Sequence, residues 1–242
     1  MKIVRFIDPA GSMRTGEWTD DGIAFGGRQY DHDEVDVLPP TDPSKIVCIG
    51  RNYALHAEER NEDVPDRPLL FLKPPSSLAG HGDTITLPSD RGRIEYEAEV
   101  GVVIGEQCRN VQAEDAMDVV AGYTCVNDLS NREDQRKEKN WVRGKAFDNA
   151  APIGPVMATP DEVPEYPEIT LRQNGQVKQN ATTEALIFPI PELIAEITEL
   201  TTLERGDVIA TGTPEGVGPM SDGDTIEVEV EGVGTLRNHV RF

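Results

Sequence analysis

Polar and apolar residues alternate with a period of two over much of this chain, which predicts a protein built mainly from strands. Near the start, apolar patches at Ile3–Phe6 and Ile23–Phe25 are separated by Asp8-Pro-Ala-Gly11, Asp20-Asp-Gly22 and Gly26-Gly27, the pattern of a small β-meander over residues 1–40. Leu38-Pro-Pro-Thr-Asp-Pro43 follows as an extended linker, because successive prolines disfavour helix. From Lys45 the pattern changes, and residues 45–242 read as one larger domain. Ile46–Ile49 is a buried-strand candidate, Asn52 could cap a short helix running to about Arg60, and Glu95–Ile104 is strongly strand-like. Short helices are expected at Ala113–Ala121 and Asn131–Asn140. Leu193, Ile194, Ile197 and Leu200 recur at helical spacing behind Pro189-Ile-Pro191. Val208–Ala210, Thr225–Val230 and Gly234–Val240 complete the strands. The expected class is β-rich α+β.

Composition narrows the functions open to such a fold. Apolar residues make up 37% of the 242 positions, and the 22 glycines bring that to about 46%, near the ~45–50% of globular domains. The longest clear apolar run, Val100–Gly105, is far short of the ~20 residues that span a bilayer, so no membrane association is expected. Met1–Asp8 reaches a charge too early for a secretory signal. Twenty-three basic residues against 44 acidic ones give a net charge of −21, which argues against nucleic acid as a partner. Lysine is scarce, at seven residues (Lys2, Lys45, Lys73, Lys137, Lys139, Lys145 and Lys178), and an acidic, lysine-poor surface suits concentrated salt. Cys48, Cys108 and Cys125 form no C-x-x-C pair and read as reduced thiols of a cytoplasmic protein.

Candidate chemistry lies in Arg93-Ile-Glu-Tyr-Glu-Ala-Glu-Val100. On a strand Glu95, Glu97 and Glu99 share one face, with neighbours about 6.5–7 Å apart. Buried together, such carboxylates repel one another unless a positive charge sits between them, and a hard divalent cation supplies one. The same alternation in Thr225–Glu231 reads more simply as a half-exposed strand with its acids in solvent. Two features separate the first run from that control. It flows into Val100–Ile104, apolar on both faces, and Asp128 follows Tyr123–Val126, a plausible neighbouring strand. His56 and Glu59, at i and i+3 on the short helix, fall on one side of it. A carboxylate held against an imidazole fixes its tautomer and raises its basicity. Lys145 stands in apolar sequence, and Thr211–Gly218 is a glycine-rich turn after a strand, able to present backbone N–H groups to an anion.

Six stretches taken together resemble the fumarylacetoacetate hydrolase family: Ile46–His56, Phe71-Leu-Lys-Pro-Pro75, Glu95–Ile104, Gly122–Asp128, Lys145–Pro155 and Thr211–Gly218. The resemblance covers residues from about 45 onward. It implies a mixed β-sandwich or β-roll catalytic domain over 45–242 behind the small N-terminal β-meander, and a homodimer. It makes Glu97, Glu99 and Asp128 ligands of Mg²⁺ (or Mn²⁺) and Glu95 a position that varies. It places His56 and Glu59 in a lid over the ion. Lys145 would contact the substrate's oxygens, with Gln135, Gly212, Thr213, Arg51 and Tyr53 as further substrate contacts.

The substrate so implied is a small anionic 2-oxo or 2-hydroxy-enoic acid. The leading expectation is hydrolysis of a C–C bond in an acylpyruvate-like 3-acyl-2-oxo acid, with His56 and Glu59 activating water and Lys145 stabilising the enolate. The same site could instead decarboxylate or isomerise oxaloacetate or a 2-hydroxymuconate-type diacid, as in aromatic catabolism, or dehydrate a 2-keto-3-deoxy sugar acid. An ion-stabilised binding protein without catalysis is the alternative from another class.

Overall fold

The computed structural model of the chain describes residues 1–59, 63–88 and 92–242. Arg60, where the first helix was expected to end, lies outside them. Strands dominate, as the period-two pattern requires, and among the described residues four α-helices accompany them: α1 (Ala54–Glu59), α2 (Arg132–Lys137), α3 (Val142–Lys145) and α4 (Ile190–Leu200). The expected helix at Ala113–Ala121 is a 3₁₀ segment, Ala113–Val119, and the one at Asn131–Asn140 is the shorter α2, with α3 beginning only beyond it at Val142. No helix among the described residues is long and apolar enough to cross a membrane.

Twelve described strands form one sheet. At its centre Ala98–Ile104 pairs antiparallel with Val120–Asn127 on one side and with Val208–Ala210 on the other. Val208–Ala210 then runs parallel to Ile46–Gly50, which pairs antiparallel with Leu69–Lys73, the last strand on that side. The N-terminal meander joins the opposite side, because Lys2–Ile7 hydrogen-bonds antiparallel to Ala151–Ala158. A five-stranded sheet built on Glu168–Gln173, Thr225–Val230 and Gly234–Arg241 packs over the large one. Its strand Thr225–Val230 buries Ile226, Val228 and Val230 and turns Glu227 and Glu229 outward onto Arg237 and Arg172, so the acids of the control segment sit at the surface.

The central strand Ala98–Ile104 is buried at every position, because both of its faces are covered. Ala98, Val100, Val102 and Ile104 enter the main core together with Ile169, Leu171, Val228 and Leu236. Val103 points the other way, into a smaller core with Ile46, Cys48, Phe71 and Val126. Glu97 and Glu99 share this second face, so the pleat places two acids at one end of an apolar surface. In α4, Leu193, Ile194 and Ile197 are buried as expected, but Leu200, in the last turn, is exposed.

Candidate active site

The strand pattern expected over Glu95–Ile104 breaks at Glu97. Ile94–Tyr96 belongs to a separate three-stranded sheet with Ser130–Asn131 and Gly218–Pro219, whereas Ala98–Ile104 belongs to the large one. Glu97 is the joint. Its N–H donates to Asn127 Oδ1 at 3.0 Å, and its carbonyl accepts the Asp128 N–H at 2.8 Å, which sets Asp128 directly beside it. Ala98 on the central strand pairs with Asn127, so Glu97, Glu99 and Asp128 converge. One carboxylate oxygen from each lies within 4.8 Å of the others, and all three residues are buried.

Glu95 takes a different course. It pairs with Arg93 at 2.5 Å and with Arg132 at 2.5 Å, and stands apart from the acid triad. Arg132 begins α2, which is capped by Asn131 accepting the Asp134 N–H at 3.1 Å, with acids in its first turn and bases in its last. The Arg132 guanidinium also pairs with Glu97 and donates to Gln135 Oε1 at 2.8 Å. Lys145, at the end of α3, donates to Glu97 at 2.6 Å and to Asp128 Oδ2 at 2.5 Å, with its ammonium 4.8 Å from the Phe71 ring centre. The other Asp128 oxygen, Oδ1, lies 2.8 Å from the ammonium of Lys73, which is wholly buried.

Four buried carboxylates therefore face three buried cations, Lys73, Arg132 and Lys145. Burial opposes ionisation of Glu97, but Arg132, Lys145 and His56 outweigh it and hold its carboxyl well below the usual range. Burial would lower Lys145, but Asp128 and Glu97 keep it above an ordinary lysine and so protonated. Glu99 is the exception. It accepts the Gly212 N–H at 2.9 Å and makes no ion pair among the described residues; burial, Asp128 and Glu97 push its carboxyl well above the usual range. A hard-oxygen donor set that is short of positive charge at one member fits a divalent cation such as Mg²⁺ or Mn²⁺.

A cavity of about 340 Å³ opens onto this cluster. Its lining brings together Glu97, Glu99, Asp128, Lys145, His56, Gln135, Arg51 and Thr213, all expected from the sequence, with Arg132, Arg136, Phe71 and Trp141. His56 is buried in α1, and its Nδ1 lies 3.4 Å from Glu59 Oε2. Glu59 also accepts the Gly216 N–H at 3.2 Å, which ties α1 to the glycine-rich turn. Two expected substrate contacts lie outside the lining. The Gly212 N–H is spent on Glu99, and at φ +102° an added Cβ would come within 2.7 Å of Asn52. Tyr53 is buried, and its phenol is raised by desolvation, Glu99 and Glu215. Asn52, the expected helix cap, instead ties Phe188 and Thr211 together through its side-chain amide.

Sequence reasoning missed Lys73, Arg132 and Gln179. Gln179 accepts the Ala98 N–H at 3.0 Å and donates to Thr213 Oγ1 at 2.8 Å, locking the turn to the central strand. Lys73 could have been found, because the period of two from Phe71 puts it on the same inward face. Nothing local marked Gln179, whose strand is exposed on either side of it.

Residues 45–241 match the model of the fumarylacetoacetate (FAA) hydrolase C-terminal family. The chain is 39% identical to the oxaloacetate tautomerase YisK of Bacillus subtilis, over 89% of this chain and 76% of that one. The crystal structure of a 5-carboxymethyl-2-hydroxymuconate delta-isomerase from Mycobacterium smegmatis superimposes with a TM-score of 0.91 at 40% identity, covering 100% of this chain and 98% of that one. A fumarylpyruvate hydrolase from Pseudomonas aeruginosa, solved with Mn²⁺ and pyruvate, matches with a TM-score of 0.77 at 32% identity over 82% of this chain and 89% of that one. With the family model matching residues 45–241, and with relatives this close along nearly all of the sequence, the chain belongs to the fumarylacetoacetate hydrolase family.

Proposed function

We propose that this protein is a divalent-metal-dependent enzyme that moves a proton at the carbon beside the keto group of a 2-oxo diacid, acting as a tautomerase or isomerase of the oxaloacetate or 2-hydroxymuconate type. The observation that carries this reading is the meeting, in one cavity, of an oxygen triad, a fixed ammonium and a carboxylate-paired imidazole. Glu97, Glu99 and Asp128 would hold Mg²⁺ or Mn²⁺, which when bound supplies a Lewis acid for the carboxylate and keto oxygen of a 2-oxo acid.

The chain's own residues supply the rest. Lys145, held between Glu97 and Asp128, presents a positive charge where the enolate oxygen develops. His56 is the imidazole of the cavity; with Nδ1 turned to Glu59, Nε2 is the atom that takes the proton from the carbon and returns it. Glu59 fixes that tautomer. Gln135, oriented by Arg132, hydrogen-bonds the substrate, and Arg51 and Arg136 offer charge to a second carboxylate. Phe71 and Trp141, edge to face at 5.5 Å, screen the site from water.

Similarity to a named tautomerase and a named isomerase at 39–40% identity favours proton transfer over the C–C hydrolysis expected first. Hydrolysis of an acylpyruvate is the second reading, favoured by the His56–Glu59 pair, which could equally activate water. The two are separated by adding enol oxaloacetate, and separately an acylpyruvate, to the protein with Mg²⁺. Faster loss of enol absorbance without loss of carbon supports the tautomerase, and release of pyruvate from the acylpyruvate supports the hydrolase. Acceleration of neither would defeat both. His56→Ala should cost on the order of 10²–10⁴-fold in either reaction.

A further inference from the structure

Lys73 belongs to the Phe71-Leu-Lys-Pro-Pro75 stretch, of which the proposed reaction uses Phe71 but assigns Lys73 no task. Its side chain is 0% exposed, and long charged side chains are seldom buried unless fully paired. The ammonium donates to three backbone carbonyls, of Leu129 at 3.1 Å, Lys145 at 2.5 Å and Ala150 at 2.8 Å, and lies 2.8 Å from Asp128 Oδ1. These acceptors come from three segments: the turn that follows Asp128, the end of α3, and the residue preceding strand Ala151–Ala158. Two of the segments carry chemistry, since one holds the third acid of the triad and the other the ammonium of Lys145.

The two oxygens of Asp128 are thus divided between two lysines. Oδ1 faces Lys73, behind the site, and Oδ2 faces Lys145, in front of it. Oδ1 accepts no hydrogen bond among the described residues, since the Lys73 donors go to the three carbonyls. The ammonium therefore acts on Asp128 as a charge at 2.8 Å and through the adjoining Leu129 carbonyl, and such outer partners set how tightly a ligand grips an ion. Lysine suits the place. Its ammonium has three donors and no acceptor, and it reaches the site from the end of a strand whose register is fixed against Ile46.

We infer that Lys73 is a positioning residue: it orients Asp128 toward the ion and, through the Lys145 carbonyl, sets α3 and the Lys145 side chain at the right distance from it. The inference rests on the reading of Glu97, Glu99 and Asp128 as a metal site. The test is Mn²⁺ affinity of the intact protein, measured by titration calorimetry or by the spin-resonance signal of free Mn²⁺, so that no substrate is needed. Lys73→Met, with its fold checked by circular dichroism, should bind Mn²⁺ roughly 10–100-fold more weakly than the wild type.

A lysine that only supports the fold would lower the melting temperature and leave the Mn²⁺ affinity of the folded protein unchanged, and that result would overturn the inference. Should Lys73→Met fail to fold, Lys73→Gln carries the same expectation. Failure of both variants to fold would make Lys73 a determinant of the fold and overturn the role stated. Absence of Mn²⁺ binding to the wild type would defeat the metal-site reading itself, whereas equal binding by wild type and variant defeats only the role of Lys73.

Discussion

Glu95, Glu97 and Glu99 look alike in the sequence yet end in three electrostatic states. Glu95 is bracketed by two arginines, Glu97 is shared by Arg132 and Lys145, and Glu99 accepts a backbone N–H but makes no ion pair among the described residues. A group whose folded pKa is raised, as that of Glu99 is, contributes stability below its unfolded value near ~4.3, and the contribution is lost as pH rises through the folded value. Metal-free Glu99→Gln should therefore melt above the metal-free wild type at pH 7–8, and the gap should close on acidification. Saturating Mn²⁺ should reverse the order, because only the wild type gains from binding. Thermal melts at several pH values, with and without Mn²⁺, check both signs. Alternation and the apolar run that follows were enough to mark Glu95, Glu97 and Glu99 as a group, and the family resemblance alone set Glu95 aside. The arginines that remove Glu95 from the set were not legible, because Arg132 reaches it only after the chain has turned through Asp128.

Two short helices illustrate what local pattern can and cannot supply. The single helix expected over Asn131–Asn140 ends at Lys137 as α2, α3 starts only at Val142, and the close approach of the two depends on Gly144: an added Cβ would stand 2.7 Å from the Gln135 nitrogen and 2.8 Å from its Cα. Gly144→Ala should push α3 off α2, destabilise the protein by about 1–3 kcal/mol, and reduce turnover more than an equally destabilising change elsewhere, because Lys145 moves with α3. Melting curves paired with activity measurements decide it.

Away from the site, Asp207 ties the 204–207 turn to Ser44 and Lys45. It accepts from the Ser44 N–H at 2.8 Å and the Glu204 N–H at 2.9 Å, and pairs with the Lys45 ammonium at 2.5 Å. Burial opposes its ionisation, but Lys45, the Glu204 N–H and Ser44 outweigh burial and lower its pKa. Its contribution is present above the unfolded value near ~3.9 and lost as pH falls through the lower folded one. Asp207→Asn should thus cost about 1.5–3 kcal/mol at pH 7, a loss that shrinks in strong acid, as denaturant titrations would show. Strands were the most legible elements, since both the main-sheet segments and the surface acids of Thr225–Val230 follow from period two. The pairing of Lys2–Ile7 with Ala151–Ala158 was not, because partners some 150 residues apart leave no local mark.

A net charge of −21 surrounds a cavity that gathers Arg51, Arg132, Arg136 and Lys145. The repulsion among surface acids is long-ranged at low ionic strength and falls within a screening length of about 3 Å at 1 M salt. The melting temperature should therefore climb by several degrees between about 0.1 and 2 M KCl, whereas a flat or falling trend would remove salt adaptation from the picture. The same screening should ease entry of an anionic substrate, read as a KM that drops with salt. Lys73 sits at the end of the outermost strand on its side of the large sheet, paired along one side only among the described residues. Boundary strands are where a folded protein frays first, so under the role inferred for Lys73 the affinity of the proposed metal site and the resistance of Leu69–Lys73 to peeling would be one property, and amide exchange along that border should track Mn²⁺ affinity.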